Sequence, residues 1–227
     1  MAVKLAHLGA KVFVRGRNAT TLTDCATLHQ NIIPIETDIG DPNQVQALIA
    51  QVNRAFQRLD LLVHNAGMAP VTPLTEQSLD EFDQVFNINV RAVVYLTQQA
   101  LPLLRACQGN IINIGSAVAN QPLANMSVYS ASKSALKTLT LAWAKEFAKE
   151  GIRVNNIAVG PIDTPIYDKT QLSDEQAQAH KERVTQLIPL GHFGQSEDIA
   201  NMVAFLGSPL AKFITGADIA VDGGFSI

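Results

Sequence analysis

Cysteine is scarce in this 227-residue chain: Cys25 and Cys107 stand far apart, with no histidine cluster beside either. Such a pair implies neither a disulfide framework nor a zinc-type ligand set, so no metal is expected, and two reduced thiols in a cytoplasmic protein are. Charge is sparse as well. Charged residues make 16% of the chain and the net charge is −3, with no basic stripe, which argues against nucleic acid as a partner. No apolar run reaches the ~18 residues that a membrane span needs. The first residues lack a charged stretch followed by an apolar one, so no secretory signal is expected. Repeats, linkers and low-complexity tracts are missing too, which leaves one continuous domain over residues 1–227.

What is present is apolar and periodic. Hydrophobic residues make 47% of the chain, enough for a sizeable core. Ala2, Leu5, Ala6 and Leu8 recur at helical spacing, Gly9 stops the helix, and Lys11 to Val14 reads as a buried strand. Ile32 to Ile35 is a β-branched run holding Pro34. Asp41 is the expected N-cap of a helix with Pro42 at its first position and Gln44 closing a capping box, and Val45, Leu48, Ile49, Val52 and Phe56 line one face. "DLLVHNAG" is a strand entering a Gly turn. Ser78 and Glu81 mark the start of a helix that continues past Arg91 towards Leu104. "NIINIGS" is a strand, Ser127 to Lys149 a helix, "IRVNNIA" a strand, Ser196 the cap of a helix to Leu206, and "ADIAVDGG" the closing strand.

Short apolar strands alternating with helices predict an α/β fold: a Rossmann-like, doubly wound parallel sheet covered on both faces. Ligands of such sheets sit beyond the carboxyl ends of the strands. The residues there are Gly16–Arg17, Asp38–Ile39, Asn65–Gly67, Gly115–Ser116 and Gly160–Thr164.

"YSASK" sets Tyr129 and Lys133 one turn apart on a single helix face. An ammonium beside a phenol favours the phenolate, so the Tyr129 pKa is expected below its usual ~10, fitting it for proton transfer near neutral pH. Ser116 closes a strand and supplies a hydroxyl to the same site. Asn89 stands mid-helix, where asparagine is a mediocre choice unless it has a partner, such as a water chain. Alone, each signal is weak: such pairs are usually a solvated face, such a serine a cap, such an asparagine exposed. Their common order along the strand ends joins them.

These segments resemble the short-chain dehydrogenases/reductases over essentially the whole chain. "HNAG" at His64–Gly67 is similar to the family's N-N-A-G turn, "NIN" places Asn89 on the active-site Asn, "NIGS" places Ser116 on the catalytic Ser, and "YSASK" matches Y-x-x-x-K. "RVNNIAVGPIDTP" and "ITGADIAVDGG" match the family's cofactor loop and C-terminal strand. The resemblance implies a nicotinamide-dependent oxidoreductase acting on a small carbonyl or secondary alcohol, a 3-oxoacyl thioester being the nearest analogue. Tyr129 would move the proton, Lys133 hold the nicotinamide ribose, Ser116 stabilise the carbonyl oxygen and Asn89 order water. Arg17, Asp38, Ile39, Asn65, Ala66, Gly67, Tyr129, Lys133, Gly160, Ile162 and Thr164 would bind cofactor. Gly16 stands where an NAD-selective acid would, with Arg15 and Arg17 beside it, so NADP(H) is favoured over NAD(H). Substrate would be met by a mobile lid at about residues 163–193, and relatives imply a homotetramer.

The chain departs from the pattern. Val159 replaces a Pro before Gly160, which should loosen that loop slightly, and Gly115 replaces a common second Ser. His64 and His192 are expected to be structural. The largest departure is the family's first strand and its Gly-rich turn, T-G-x-x-x-G-x-G: the chain opens inside the helix that follows them, with roughly 20 residues missing by the ~30-residue length of a strand–helix–strand unit. Either the start is misplaced, or the short chain is real and compromised, or another segment, for instance from a partner chain, fills the gap. Two strand ladders are then expected to stay unpaired, with weak cofactor binding and low activity. A non-catalytic scaffold of the same fold is the alternative from another class. A dehydratase or epimerase is disfavoured by the lack of a second domain.

Overall fold

The computed structural model describes residues 1–164 and 174–227. Its elements alternate as the apolar pattern requires. Helix α1 (Ala2–His7) ends near Gly9, whose φ of +95° suits glycine, and β1 (Val12–Gly16) follows. Helix α2 (Ala19–Thr27) carries no sequence signal beyond Asn18, whose side chain accepts from the Thr21 N–H. Strand β2 (Ile32–Glu36) tolerates Pro34 because, among the described residues, β1 is its single neighbour, leaving an outer edge that needs no N–H. Asp41 caps α3 (Pro42–Phe56) as expected. Gln44, however, accepts from the Asp38 N–H at 2.8 Å, so it ties the helix to the β2 loop instead of closing a capping box.

Strand β3 (Leu61–His64) leads to α4 (Leu79–Phe86), capped by Ser78. The long helix read from Ser78 onward is broken at Asn87–Arg91 by a π-turn before α5 (Ala92–Arg105). Then come β4 (Asn110–Ile114), a 3-10 turn at Ala117–Ala119, α6 (Ser127–Phe147), β5 (Arg153–Val159) and the two-residue β6 (Ile162–Asp163). Helix α7 (Asp174–Thr185), β7 (Gly194–Gln195), α8 (Ser196–Gly207) and β8 (Asp218–Val221) complete the chain. The α8 cap is Gln195, one residue before the expected Ser196, because Asp198 reaches back to the Gln195 N–H at 2.7 Å. Of the substrate segment read at 163–193, residues 165–173 lie outside the described residues, and part of the remainder is the helix α7.

The strands are parallel and form sheets β1-β2, β3-β4-β5-β8 and the small β6-β7. Helices α5 and α6 cover one face of the four-stranded sheet, where Leu104, Ile111, Leu136, Phe147 and Val154 are buried together. Helix α8 covers the other with Ile112, Ile157, Val203 and Leu206. Each such side chain contributes roughly 1.5–3 kcal/mol of burial, which is why β4 and β5 carry isoleucine and valine towards both faces, beside the buried Asn110, Asn113, Asn155 and Asn156. Between β1 and β3 no ladder forms. A cavity of about 880 Å³ separates them, walled by Val12, Val14, Leu61 and Val63 and by Met1 and Leu5 of the first helix. The two unpaired ladders expected from the sequence are these facing edges.

Candidate active site

The carboxyl ends of β3, β4 and β5 bring the predicted residues together. Ser116 follows β4 and caps the 3-10 turn, its Oγ accepting from the Val118 N–H at 3.4 Å. It is buried, and its hydroxyl stands near enough to the Tyr129 phenol to pull the phenol pKa down. Tyr129 and Lys133 share a face of α6, and the Lys133 Nζ lies 5.8 Å from the centroid of the Tyr129 ring. Nζ donates to the Ile114 carbonyl at 2.8 Å, where β4 ends.

The electrostatics correct one expectation. The Tyr129 pKa lies above its ordinary value, raised by burial and only partly opposed by the Ser116 hydrogen bond. Lys133 was expected to depress it, but burial acts on the ammonium as well and lowers the Lys133 pKa to about 8. Burial is the leading cause of both shifts.

Asn89 is buried rather than exposed, and it occupies the π-turn. Such turns are frequent at functional sites. Its amide exchanges two hydrogen bonds of 2.9 Å with the Met68 backbone, and its Nδ2 also donates to Ser132 Oγ at 2.9 Å. Ser132 passes the chain on to the Tyr129 carbonyl at 2.7 Å. Asn89 thus clamps the turn after β3 onto α6. Sequence reasoning missed Ser132, although it stands inside "YSASK" and is fully buried. Gly67 closes the same corner: a Cβ there would stand 3.4 Å from Asn89 Oδ1 and 3.5 Å from Lys133 Nζ.

The predicted cofactor residues fall into two groups. Arg17, Asp38, Ile39, Asn65, Ala66 and Gly67 all line the 880 Å³ cavity. Arg15 lines it too, and burial lowers its pKa to about 10 against the opposing pull of Asp38. Arg17 is exposed at the rim. Asp38 accepts from the Gly40 N–H at 2.8 Å, shaping the loop in front of buried Ile39. Gly160, Ile162 and Thr164, past the end of β5, and Tyr129 and Lys133, on α6, lie outside that lining. Gly160 is required there, because a Cβ would stand 2.4 Å from the Asp222 Cα. Val159 completes the β5–β8 ladder opposite Val221.

Both histidines have structural contacts. His64 Nε2 lies 2.9 Å from Thr97 Oγ1 in the core, and His192 Nδ1 lies 3.0 Å from the Phe193 carbonyl. Burial first and the Arg15 charge second lower the His64 pKa to about 3, which keeps it neutral.

The donor set fits a nicotinamide dinucleotide. The cavity volume lies within the usual 300–1,000 Å³ of a small-molecule site. Its lining includes the guanidinium side chains of Arg15, Arg17 and Arg58, and Gly67, where a Cβ would stand 3.5 Å from Lys133 Nζ.

A sequence profile described as enoyl-(acyl carrier protein) reductase matches residues 1–226. The chain is 34% identical over 195 residues to a 3-oxoacyl-(acyl-carrier-protein) reductase of Thermotoga maritima, covering 86% of this chain and 77% of that one. Two solved structures share the fold throughout. A blue fluorescent protein from a metagenomic library, in complex with NADPH, superposes with a TM-score of 0.86 at 35% identity, covering 99% of this chain and 91% of that one. A 3-ketoacyl-(acyl-carrier-protein) reductase of Brucella melitensis, complexed with NADH, superposes with a TM-score of 0.91 at 28% identity, covering 100% and 92%.

Proposed function

We propose that this chain, which belongs to the short-chain dehydrogenase/reductase family, interconverts a carbonyl and a secondary alcohol at Tyr129. It is an oxidoreductase. The observation that carries the reading is the convergence of three groups: a phenol, a buried hydroxyl that acts on its pKa, and a buried ammonium 5.8 Å from its ring. In the direction of reduction, Tyr129 Oη gives its proton to the carbonyl oxygen while Ser116 Oγ donates a hydrogen bond to the same oxygen. A raised phenol pKa keeps that proton in place until it is needed. The Lys133 ammonium stabilises the phenolate left behind, and its protons beyond the one given to Ile114 are free for the ribose hydroxyls. Asn89 holds the Asn65–Met68 turn in register with α6. A bound nicotinamide dinucleotide supplies the hydride.

Arg15 and Arg17, with no acid at Gly16, favour NADP(H), since a guanidinium fork suits a 2′-phosphate. Relatives on both cofactors exist, and the arginines are the reason for preferring the phosphorylated one. The substrate class is a 3-oxoacyl thioester or a similar small ketone, met by the segment at 163–193. The test is NADPH consumption with a 3-oxoacyl thioester, which should require both thioester and chain and collapse in Tyr129→Phe.

The described surface favours a homotetramer: Leu79 on α4, Leu141 on α6, and Leu210, Phe213 and Ile227 towards the C-terminus are exposed apolar side chains on the elements that relatives pack together. Light scattering tests this. The free thiols Cys25 and Cys107 suit a cytoplasmic enzyme.

A further inference from the structure

Four polar side chains from four segments meet behind Ser116. Asn156 of β5 donates to Asp218 Oδ1 at 2.6 Å. Lys137 of α6 lies 2.9 Å from Asp218 Oδ2 and donates to Asn120 Oδ1 at 2.6 Å. Asn120 Nδ2 donates to Asp218 Oδ2 at 3.3 Å. Burial alone would raise the Asp218 pKa, but the bonds from Asn156, Lys137 and Asn120 and the Lys137 charge hold it below the usual carboxylate value. Asp218, Lys137 and Asn120 thus close a ring around one ion pair, and Asn156 is tied to it through Asp218 Oδ1.

Both flanks of Ser116 rest on this ring. On one side stands Gly115, whose backbone lies against the Asn156 amide so closely that an added Cβ would be 2.4 Å from Nδ2 and 2.6 Å from Oδ1. The Gly115 N–H is fixed by the Ile157 carbonyl at 2.8 Å, next to Asn156. On the other side, Asn120 closes the 3-10 turn that Ser116 opens, its N–H donating to the Ala117 carbonyl at 2.9 Å. Lys137 stands on α6 about two turns beyond Tyr129, so the helix that carries the phenol also carries the ring's cation.

We propose that Asn120, Lys137, Asn156 and Asp218 form a brace that positions Ser116 against the Tyr129 phenol. They are positioning residues: none touches the phenol, and each acts through the Ser116 segment. Gly115 belongs to the same design, because Asn156 occupies the space that a side chain there would need. The proposal rests on the Ser116–Tyr129 pairing of the function proposed above.

The experiment uses the full chain with its three tyrosines labelled at Cζ by an NMR-active carbon and the Tyr129 resonance assigned through Tyr129→Phe. At neutral pH, Ser116→Ala sets the displacement that loss of the hydroxyl produces. Lys137→Met should move the Tyr129 resonance in the same direction, and Lys137→Arg should keep it at the wild-type position. With a 3-oxoacyl thioester, Lys137→Met should lower kcat roughly tenfold, a fraction of the loss from removing a donor outright, and leave the KM for NADPH unchanged. If Lys137→Met does not fold, Asn120→Ala, at an exposed position, should give the same displacement. The proposal is overturned if Ser116→Ala moves the resonance while Lys137→Met and Asn120→Ala leave it in place, even with a lowered Tm. A resonance that Ser116→Ala itself does not move would overturn the Ser116–Tyr129 contact first, and the brace with it.

Discussion

Lys133 donates its ammonium to the Ile114 carbonyl at 2.8 Å, in a site where burial lowers its pKa to about 8. The charge is kept at a cost to the fold. An unfolded lysine titrates near 10.5, so between pH 8 and 10.5 the unfolded chain binds the extra proton and stability rises with pH. Urea unfolding across that range should show the rise in the wild type and a flatter profile in Lys133→Met. Equal slopes in both would contradict the burial argument.

His64 behaves in the opposite pH range. Its folded pKa of about 3 lies below the ordinary 6.5, so the unfolded chain takes up a proton first as the pH falls. Stability present above pH 6.5 should be lost below it at about 1.4 kcal/mol per pH unit from this residue. His64→Asn should flatten the acid limb of a urea-midpoint profile. An unchanged limb would show that His64 does not titrate as described.

Asn89 is 1% exposed and makes three hydrogen bonds. Asn89→Ala leaves the Met68 backbone groups without partners, which should cost about 2–4 kcal/mol in thermal or urea unfolding. Turnover should fall as well, because the Asn65–Met68 turn loses its tie to α6. Asn89→Asp, which keeps the acceptor but not the donor, should recover part of the stability.

Arg17 is exposed at the cavity rim, whereas Arg15 is half-buried in its wall. Arg17→Ala should weaken NADPH binding about tenfold, the scale of one charge-assisted hydrogen bond, and leave NADH binding within twofold. Fluorescence titration of both cofactors reads this directly. A parallel loss for the two would remove the arginine from phosphate recognition.

Most of the sheet was legible in the sequence, because strands buried on two faces are apolar runs and helices between them repeat with period 3.6. Helix α2 was not, since its threonine-rich stretch holds one buried residue, Leu22, and no stripe. The π-turn at Asn87–Arg91 leaves the hydrophobic pattern of the long helix intact, so nothing marks it until Asn89 is found buried. Spacing put Tyr129 and Lys133 on one helix face, the strand end put Ser116 near them, and the family resemblance supplied their expected roles. The direction of the Tyr129 shift was not, because spacing reports that two groups are neighbours and says nothing of how much water surrounds them. The Asn120–Lys137–Asn156–Asp218 ring joins segments up to 98 residues apart, a proximity that only the fold creates.

Hydride delivery tests the central claim most directly. The folded chain would be incubated with NADPH deuterated at the nicotinamide C4 and a 3-oxoacyl thioester, and the product read by mass spectrometry. The account predicts an alcohol carrying one deuterium on the carbinol carbon, formed by the wild type and about a hundredfold or more slower in Tyr129→Phe. A folded chain that binds NADPH yet forms no deuterated alcohol, or forms it equally well without the phenol, would contradict it.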